Sequence, residues 1–135
     1  MLLDVNPAAN ALACINAEAA GVSATCIEGA RLDQVPGAID LVIANPPFIV
    51  DEGRRTYRDG GDMDGARVSY NWAMEAAKRL VCGGRLVMYT GVAIRDGRDP
   101  LRTALERDAE GCAISYEELD PDIFGEELER EVYAG

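Results

Sequence analysis

Asn45-Pro46-Pro47-Phe48 follows directly on the apolar run IDLVIA, and its residue types suit one kind of chemistry. Two consecutive prolines fix the backbone and remove two N–H donors. The Asn45 side-chain carbonyl and the Pro46 backbone carbonyl are then candidates to face one point as a pair of acceptors. Such a pair matches an –NH2 group, which presents two N–H donors. Holding both hydrogens turns the nitrogen lone pair outward, toward an electrophile. Phe48 adds a flat apolar face on which a planar amide or base stacks. An ordinary Asn-Pro turn is the plainer reading, but it leaves the double proline and the aromatic unexplained. A second candidate is Asp4, just before Asn6-Pro7. A carboxylate at a strand end accepts both hydroxyls of a ribose in nucleotide-binding α/β folds; an acid near a helix start also simply favours the helix dipole.

Both candidates depend on strands ending in the right place. Met1 to Val5 is a short apolar run. Asn6 as N-cap and Pro7 at the first helical position predict a helix over 7–20, with Ala8, Leu12, Ile15 and Ala19 as its apolar stripe and Gly21 as its stop. Val22 to Ile27 reads as a second strand, and Ile39 to Ala44 as a third, apolar on both faces as in parallel sheets covered by helices. The polar, glycine-rich stretch 49–65 is too long for a simple turn and reads as a functional or disordered loop. A helix is predicted from Ala66 to Val81, with Trp72 on its stripe and Gly83-Gly84 as its end. A strand from Arg85 to Thr90 follows, then a helix from Asp99-Pro100 to Asp108. Ala113 to Leu119 and Glu127 to Tyr133 are further candidate strands. The alternation predicts an α/β fold with a Rossmann-like, mainly parallel sheet and flanking helices. In such sheets ligands bind beyond the carboxyl ends of the strands, where Asp4 and Asn45 fall; Thr90 ends a neighbouring strand.

Composition narrows the chemistry. The 135 residues contain no histidine, which excludes Ser-His-Asp and Cys-His catalysis and histidine metal sites. At 48% apolar and 27% charged the chain is ordinarily globular, and its length suits one domain, 1–135. Its net charge of −11 is concentrated in residues 106–135, which carry 11 acidic and 2 basic side chains. Such a run is usually a solvated surface, and the acidic balance argues against a broad nucleic-acid face. Cysteines 14, 26, 82 and 112 form no CxxC pair, so no zinc or thioredoxin pattern is present and no metal site is expected. They read as reduced structural thiols of a cytoplasmic protein. No stretch approaches the roughly 18 apolar residues of a membrane span. Arg54, Arg55 and Arg58 follow the NPPF stretch; they either steer an anionic group or balance the acids of their own loop, and the second reading is favoured. Tyr57, beside them, either closes over substrate or lies on the surface.

The stretches LLDVNPAANALACINAEAAGV, IDLVIANPPF, TYRDGGDMDG and CGGRLVMYTGVAI, spanning residues 2 to about 94, resemble the class I S-adenosylmethionine-dependent methyltransferases. The likeness is to the methyltransferase small domain group with an NPPF or NPPY motif. That group includes release-factor glutamine, rRNA guanine and adenine amino-methyltransferases. The resemblance implies S-adenosyl-L-methionine as cofactor and transfer of a methyl group to a planar amide or amino nitrogen, with a protein glutamine or a nucleic-acid base as substrate. It implies that Asn45, Pro46, Pro47 and Phe48 form the catalytic motif. Asp4 and Val5 with Glu28, Gly29, Ala30 and Asn45 would line the cofactor. Two departures stand out. The family's opening strand and DxGxGxG-like loop have no counterpart, and the pairs Gly60-Gly61 and Gly83-Gly84 do not replace them because neither follows a strand and opens a helix. Ala30 stands where the family often has an acid toward adenine, leaving Glu28 or Asp33 as substitutes. The sequence therefore reads as a truncated methyltransferase domain whose first strand is missing. The alternative is a degenerate, non-catalytic α/β scaffold or partner-binding module of the same lineage.

Overall fold

The computed structural model describes residues 1–120 and 125–133. The chain divides into two compact units, Met1–Ile39 and Asp40–Gly135.

In the first unit β1 (Leu2–Asp4) leads into α1 (Pro7–Ala19), then β2 (Cys26–Glu28) and a 3-10 turn (Leu32–Gln34). The helix begins as its sequence dictates: the Asn6 side chain accepts from the N–H groups of Ala8 and Ala9, and proline occupies the first turn, where its missing donor costs nothing. At the other end Gly21 takes φ +69°, the left-handed conformation that glycine adopts without a Cβ clash. β1 and β2 are parallel, with Leu2 opposite Cys26, Leu3 opposite Ile27 and Asp4 opposite Glu28.

The helical stripe behaves differently from expectation. Leu12 and Ile15 are exposed, and the buried residue of α1 is Asn10. Half-buried Ala9, Ala13, Cys14 and Ala17 share that side, and small side chains permit close approach to the two strands. Periodicity identifies an apolar face of a helix but not whether anything covers it. The cysteine expectation is also corrected. Cys14 of α1 and Cys26 of β2 are joined as a disulfide with Cα atoms 6.4 Å apart, because the packing of α1 brings its Cys14 face onto β2. Cys82 and Cys112 are free thiols.

The second unit contains β3 (Ile39–Ala44, its first residue closing the first unit), α2 (Arg67–Arg79), β4 (Leu80–Met88), α3 (Pro100–Asp108), a single helical turn α4 (Gly125–Leu128) and a 3-10 turn (Glu131–Tyr133). β3 is hydrogen-bonded beside β4. Along β3, Leu41 and Ile43 on one face are exposed while Val42 and Ala44 on the other are half-buried, so β3 is open on one face rather than covered on both. Each unit holds its own pair of strands; among the described residues no longer sheet joins them. α2 ends where Leu80 turns extended, and the strand then runs through Gly83-Gly84, which do not terminate the helix as expected. Val81 and Cys82 already favour extended backbone, and Gly83 at φ +81° absorbs the bend.

Two predicted strands are absent. Residues 113–118 have no regular secondary structure and 119 is a bend, and Leu119 is exposed. The stretch from 127 to 133 forms part of α4 and the last 3-10 turn, because Glu, Leu and Arg favour helical backbone over extended. Residues 121–124 and 134–135 of the acidic run lie outside the described residues. No helix among the described residues is long and apolar enough to cross a membrane.

α2 and α3 are tied by Tyr70, whose hydroxyl donates to Asp108 Oδ2 at 2.8 Å. Arg107 donates to the same carboxylate from Nε and Nη2. The Arg107 bond, then the Tyr70 bond, lower the Asp108 carboxyl from 3.8 to about 2. A carboxyl depressed in the folded state contributes stability that is present above its unfolded value and is lost as pH falls through the folded one. The α2–α3 contact should therefore weaken between pH 3.8 and about 2. Near-ultraviolet dichroism and urea unfolding across that range check this. Tyr70→Phe should make the pH dependence shallower, because one of the two causes of the depression is gone.

Candidate functional site

The first unit brings the carboxyl ends of two parallel strands side by side. Asp4 and Glu28 are register partners, and both are exposed. Asp4 Oδ1 accepts the Asn6 N–H at 2.8 Å, which fixes the carboxylate at the helix entrance. Val5, between them, is exposed. Asn10 holds the arrangement from beneath: its Nδ2 donates to the Asp4 carbonyl at 2.9 Å and to the Ile27 carbonyl at 3.0 Å. Nothing in the sequence signals this, since a polar residue in a helix usually faces water. Asn10 is 7% exposed, so Asn10→Ala removes a buried hydrogen bond from each of the two carbonyls, the Asp4 one keeping its bond from the Gly29 N–H. The expected cost is about 2 kcal/mol of unfolding free energy in urea titration.

Glu28-Gly29-Ala30 forms a turn organised by Gln34, whose Oε1 accepts the N–H groups of Ala30 and Arg31, each at 3.1 Å. Gly29 N–H donates to the Asp4 carbonyl at 3.0 Å. A Cβ at Gly29 would collide with the Gln34 side chain, so glycine is what lets the amide close the turn. Asp33 forms a surface pair with Arg31 at 3.0 Å. Of the two acids that could stand in for the one replaced by Ala30, Glu28 is therefore the one placed beside Asp4. Two exposed carboxylates, Asp4 and Glu28, thus stand at adjacent strand ends beside a tight turn.

The second unit positions Asn45-Pro46-Pro47-Phe48 at the end of β3. The Ala44 carbonyl accepts the Tyr89 N–H at 3.0 Å, so the residue that follows β4 holds the last strand residue before the motif. Asn45 is exposed, and its side-chain amide has no hydrogen-bond partner among the described residues. Pro46 is fully buried and Phe48 half-buried. The motif thus has a locked backbone with a free amide at its tip.

The long loop after the motif is ordered and wraps back on it. Ile49 bridges to Asp59, Gly60 N–H donates to the Ile49 carbonyl at 2.8 Å, and Val68 N–H donates to the Gly60 carbonyl at 3.0 Å. Asp51 is the hub. It is 4% exposed and accepts the Arg55 backbone N–H and Nε, both at 2.9 Å, and Nη2 at 2.5 Å. Arg58 Nε lies 3.8 Å away. The Arg55 side-chain bonds hold the Asp51 carboxyl far below the usual carboxylate range. Arg55 and Arg58 therefore serve the loop's own architecture. The carboxylate-to-arginine spacing of four was visible in the sequence as a possible pair. Tyr57 is 77% exposed, with the Arg55 guanidinium 5.9 Å from its ring centre.

Beside the motif lies a cavity of about 320 Å³ whose walls include Phe48, Tyr89, Thr90, Gly91, Tyr116 and Tyr133. Thr90 therefore does reach the pocket. Four carboxylates, Asp99, Glu117, Glu118 and Asp120, border it, and no lysine or arginine is among its described lining residues. Tyr116 donates to Asp99 Oδ2 at 2.6 Å; burial first, then this bond, push its phenol well above the usual range. The acidic C-terminal run thus supplies part of a wall as well as solvated surface. It also holds the loop: Val50 N–H donates to the Tyr133 hydroxyl at 2.9 Å and Arg130 Nη1 to the Val50 carbonyl at 3.1 Å. Among the described residues no group of acids and cysteines could hold a metal ion.

No family model matches the chain, and no solved structure matches it. Among curated proteins it is similar to the release factor glutamine methyltransferase of Deinococcus radiodurans, 31% identical over 134 residues. The match covers 92% of this chain and 45% of the relative, so the chain spans about half the length of that enzyme. This likeness supports a place for the chain among the methyltransferases, with S-adenosylmethionine use as a general implication of that class.

Proposed function

We propose that the chain carries the acceptor-nitrogen site and part of the cofactor site of an S-adenosylmethionine-dependent N-methyltransferase, acting on the side-chain amide of a protein glutamine. The observation that carries this reading is the exposed Asn45 amide, without a hydrogen-bond partner among the described residues, on a locked backbone next to a half-buried Phe48 and a cavity. Asp4 would hold the ribose hydroxyls, with Glu28, Gly29 and Ala30 along the adenine edge and Val5 against its face. When bound, the cofactor supplies a methyl group on a positively charged sulfur.

The chain's own contribution is orientation. Asn45 Oδ1 and the Pro46 carbonyl would accept the two N–H groups of the amide and leave its nitrogen lone pair turned outward. Pro47 fixes the backbone that carries them, and Phe48 stacks on the amide plane. With the cofactor bound, the amide nitrogen would take up the methyl group it supplies and give up one proton to water, while Asn45 Oδ1 and the Pro46 carbonyl hold the amide in place. No strong base is required, so the absence of histidine is consistent with the reaction; positioning supplies the rate.

A nucleobase amine would fit the same two acceptors. The cavity's four carboxylates, without a described cation, favour a peptide over a phosphodiester chain. Radiolabelled methyl transfer to a glutamine peptide and to an RNA oligonucleotide, each at two salt concentrations, separates the two. Transfer to the peptide with little salt dependence is expected. Transfer to RNA alone, falling steeply with salt, would assign the site to nucleic acid. Transfer to neither acceptor would favour the scaffold reading.

A further inference from the structure

We infer that Gly91 is a positioning residue that sets where the Phe48 ring lies, and so shapes the face an acceptor group meets. The acceptor part of this inference rests on the function proposed above. A Cβ at Gly91 would stand 2.5 Å from Phe48 Cδ2, 2.7 Å from Cε2 and 3.3 Å from Cγ, well inside van der Waals contact. The ring occupies the space that any other residue at position 91 would fill. Both residues line the 320 Å³ cavity, so moving the ring changes the cavity wall.

Gly91 is itself held in place. The Tyr89 N–H is bonded to the Ala44 carbonyl, and the Thr90 hydroxyl lies 2.7 Å from Ser69 Oγ, a fully buried hydroxyl of α2. The end of β4 is therefore fixed both to the strand that precedes the motif and to the helix behind it. On its other side Phe48 is gripped by its backbone: a Cβ at Gly65 would strike the Phe48 carbonyl, and one at Gly60 would lie 2.8 Å from the Phe48 Cα. Three glycines from two loops close on this one residue, two against its main chain and Gly91 against its ring.

This division makes Gly91 the informative position. Gly65 is at φ +91°, and substitution at Gly60 or Gly65 meets backbone, so those variants would disturb the fold. Gly91 is not among the residues at positive φ, so alanine fits its backbone, and the collision falls on a side chain that can swing.

The sequence has two phenylalanines, Phe48 and Phe124. The chain labelled with fluorophenylalanine therefore gives two fluorine resonances, assigned by Phe48→Leu. Gly91→Ala is expected to move the Phe48 resonance. Its effect on the urea midpoint should shrink in the Phe48→Leu background, because the collision partner is smaller. In the natural polypeptide that carries these residues, Gly91→Ala should raise the KM for a glutamine peptide about tenfold, the scale of one aromatic stacking contact. The affinity for S-adenosylhomocysteine should not change. The double variant should match Phe48→Leu alone. An unmoved Phe48 resonance, or a Gly91→Ala effect of the same size in both backgrounds, would overturn the inference. Absence of methyl transfer by the unsubstituted protein would instead reject the proposed function, while the fluorine and unfolding results still decide whether Gly91 sets the ring.

Discussion

Asn45→Ala should lower methyl transfer to a glutamine peptide by about a hundredfold. The side chain is exposed and makes no hydrogen bond among the described residues, so truncating it removes no internal hydrogen bond. The loss should then appear in transfer rate rather than in folding. Asn45→Asp keeps one acceptor of similar reach but adds a charge, and should recover only part of the rate. Equal urea midpoints for all three proteins, with transfer rates separated by this margin, are the expected pattern. A variant that unfolds early would show instead that Asn45 supports the turn.

Asp4→Ala should weaken binding of S-adenosylhomocysteine by about 10- to 100-fold, the loss of one or two charge-assisted hydrogen bonds. Its carboxylate also accepts the Asn6 N–H, so a small drop in stability of about 1 kcal/mol accompanies the change. Asp4→Asn separates the two roles. Its amide oxygen keeps the local bond to Asn6, but it lacks the charge and one of the two acceptor oxygens. Binding by calorimetry and unfolding in urea, measured on both variants, distinguish a ligand contact from a helix-start contact.

The strand ends were legible because their signals are local. Asn6-Pro7 and Asp99-Pro100 start α1 and α3 through side-chain caps on the next turn, and the six-residue run IDLVIA is β3 to the residue. The double proline marked the motif for the same reason. What the sequence left hidden depends on contacts between distant segments. Asn10 looks like a solvent-facing helix residue until α1 is laid across β1 and β2. The Cys14–Cys26 disulfide has a separation of 12 with no motif around it. Gly91 looks like an ordinary loop glycine until Phe48 occupies its missing side chain. The stretch 49–65 showed only polarity and glycine, whereas its order comes from Asp51, which gathers Arg55 and Arg58 beneath the loop. The stripe through Leu12 and Ile15 was correctly periodic, yet it stays exposed because burial needs a partner layer as well as a pattern.

Calorimetric titration of S-adenosylhomocysteine into the natural polypeptide that carries these 135 residues, and into its Asp4→Ala variant, tests the assignment most directly. Saturable binding that the substitution weakens by the margin above is the expected result. Binding of equal strength in both proteins would remove Asp4 from the cofactor site, and no binding in either would contradict a methyltransferase function for this fold.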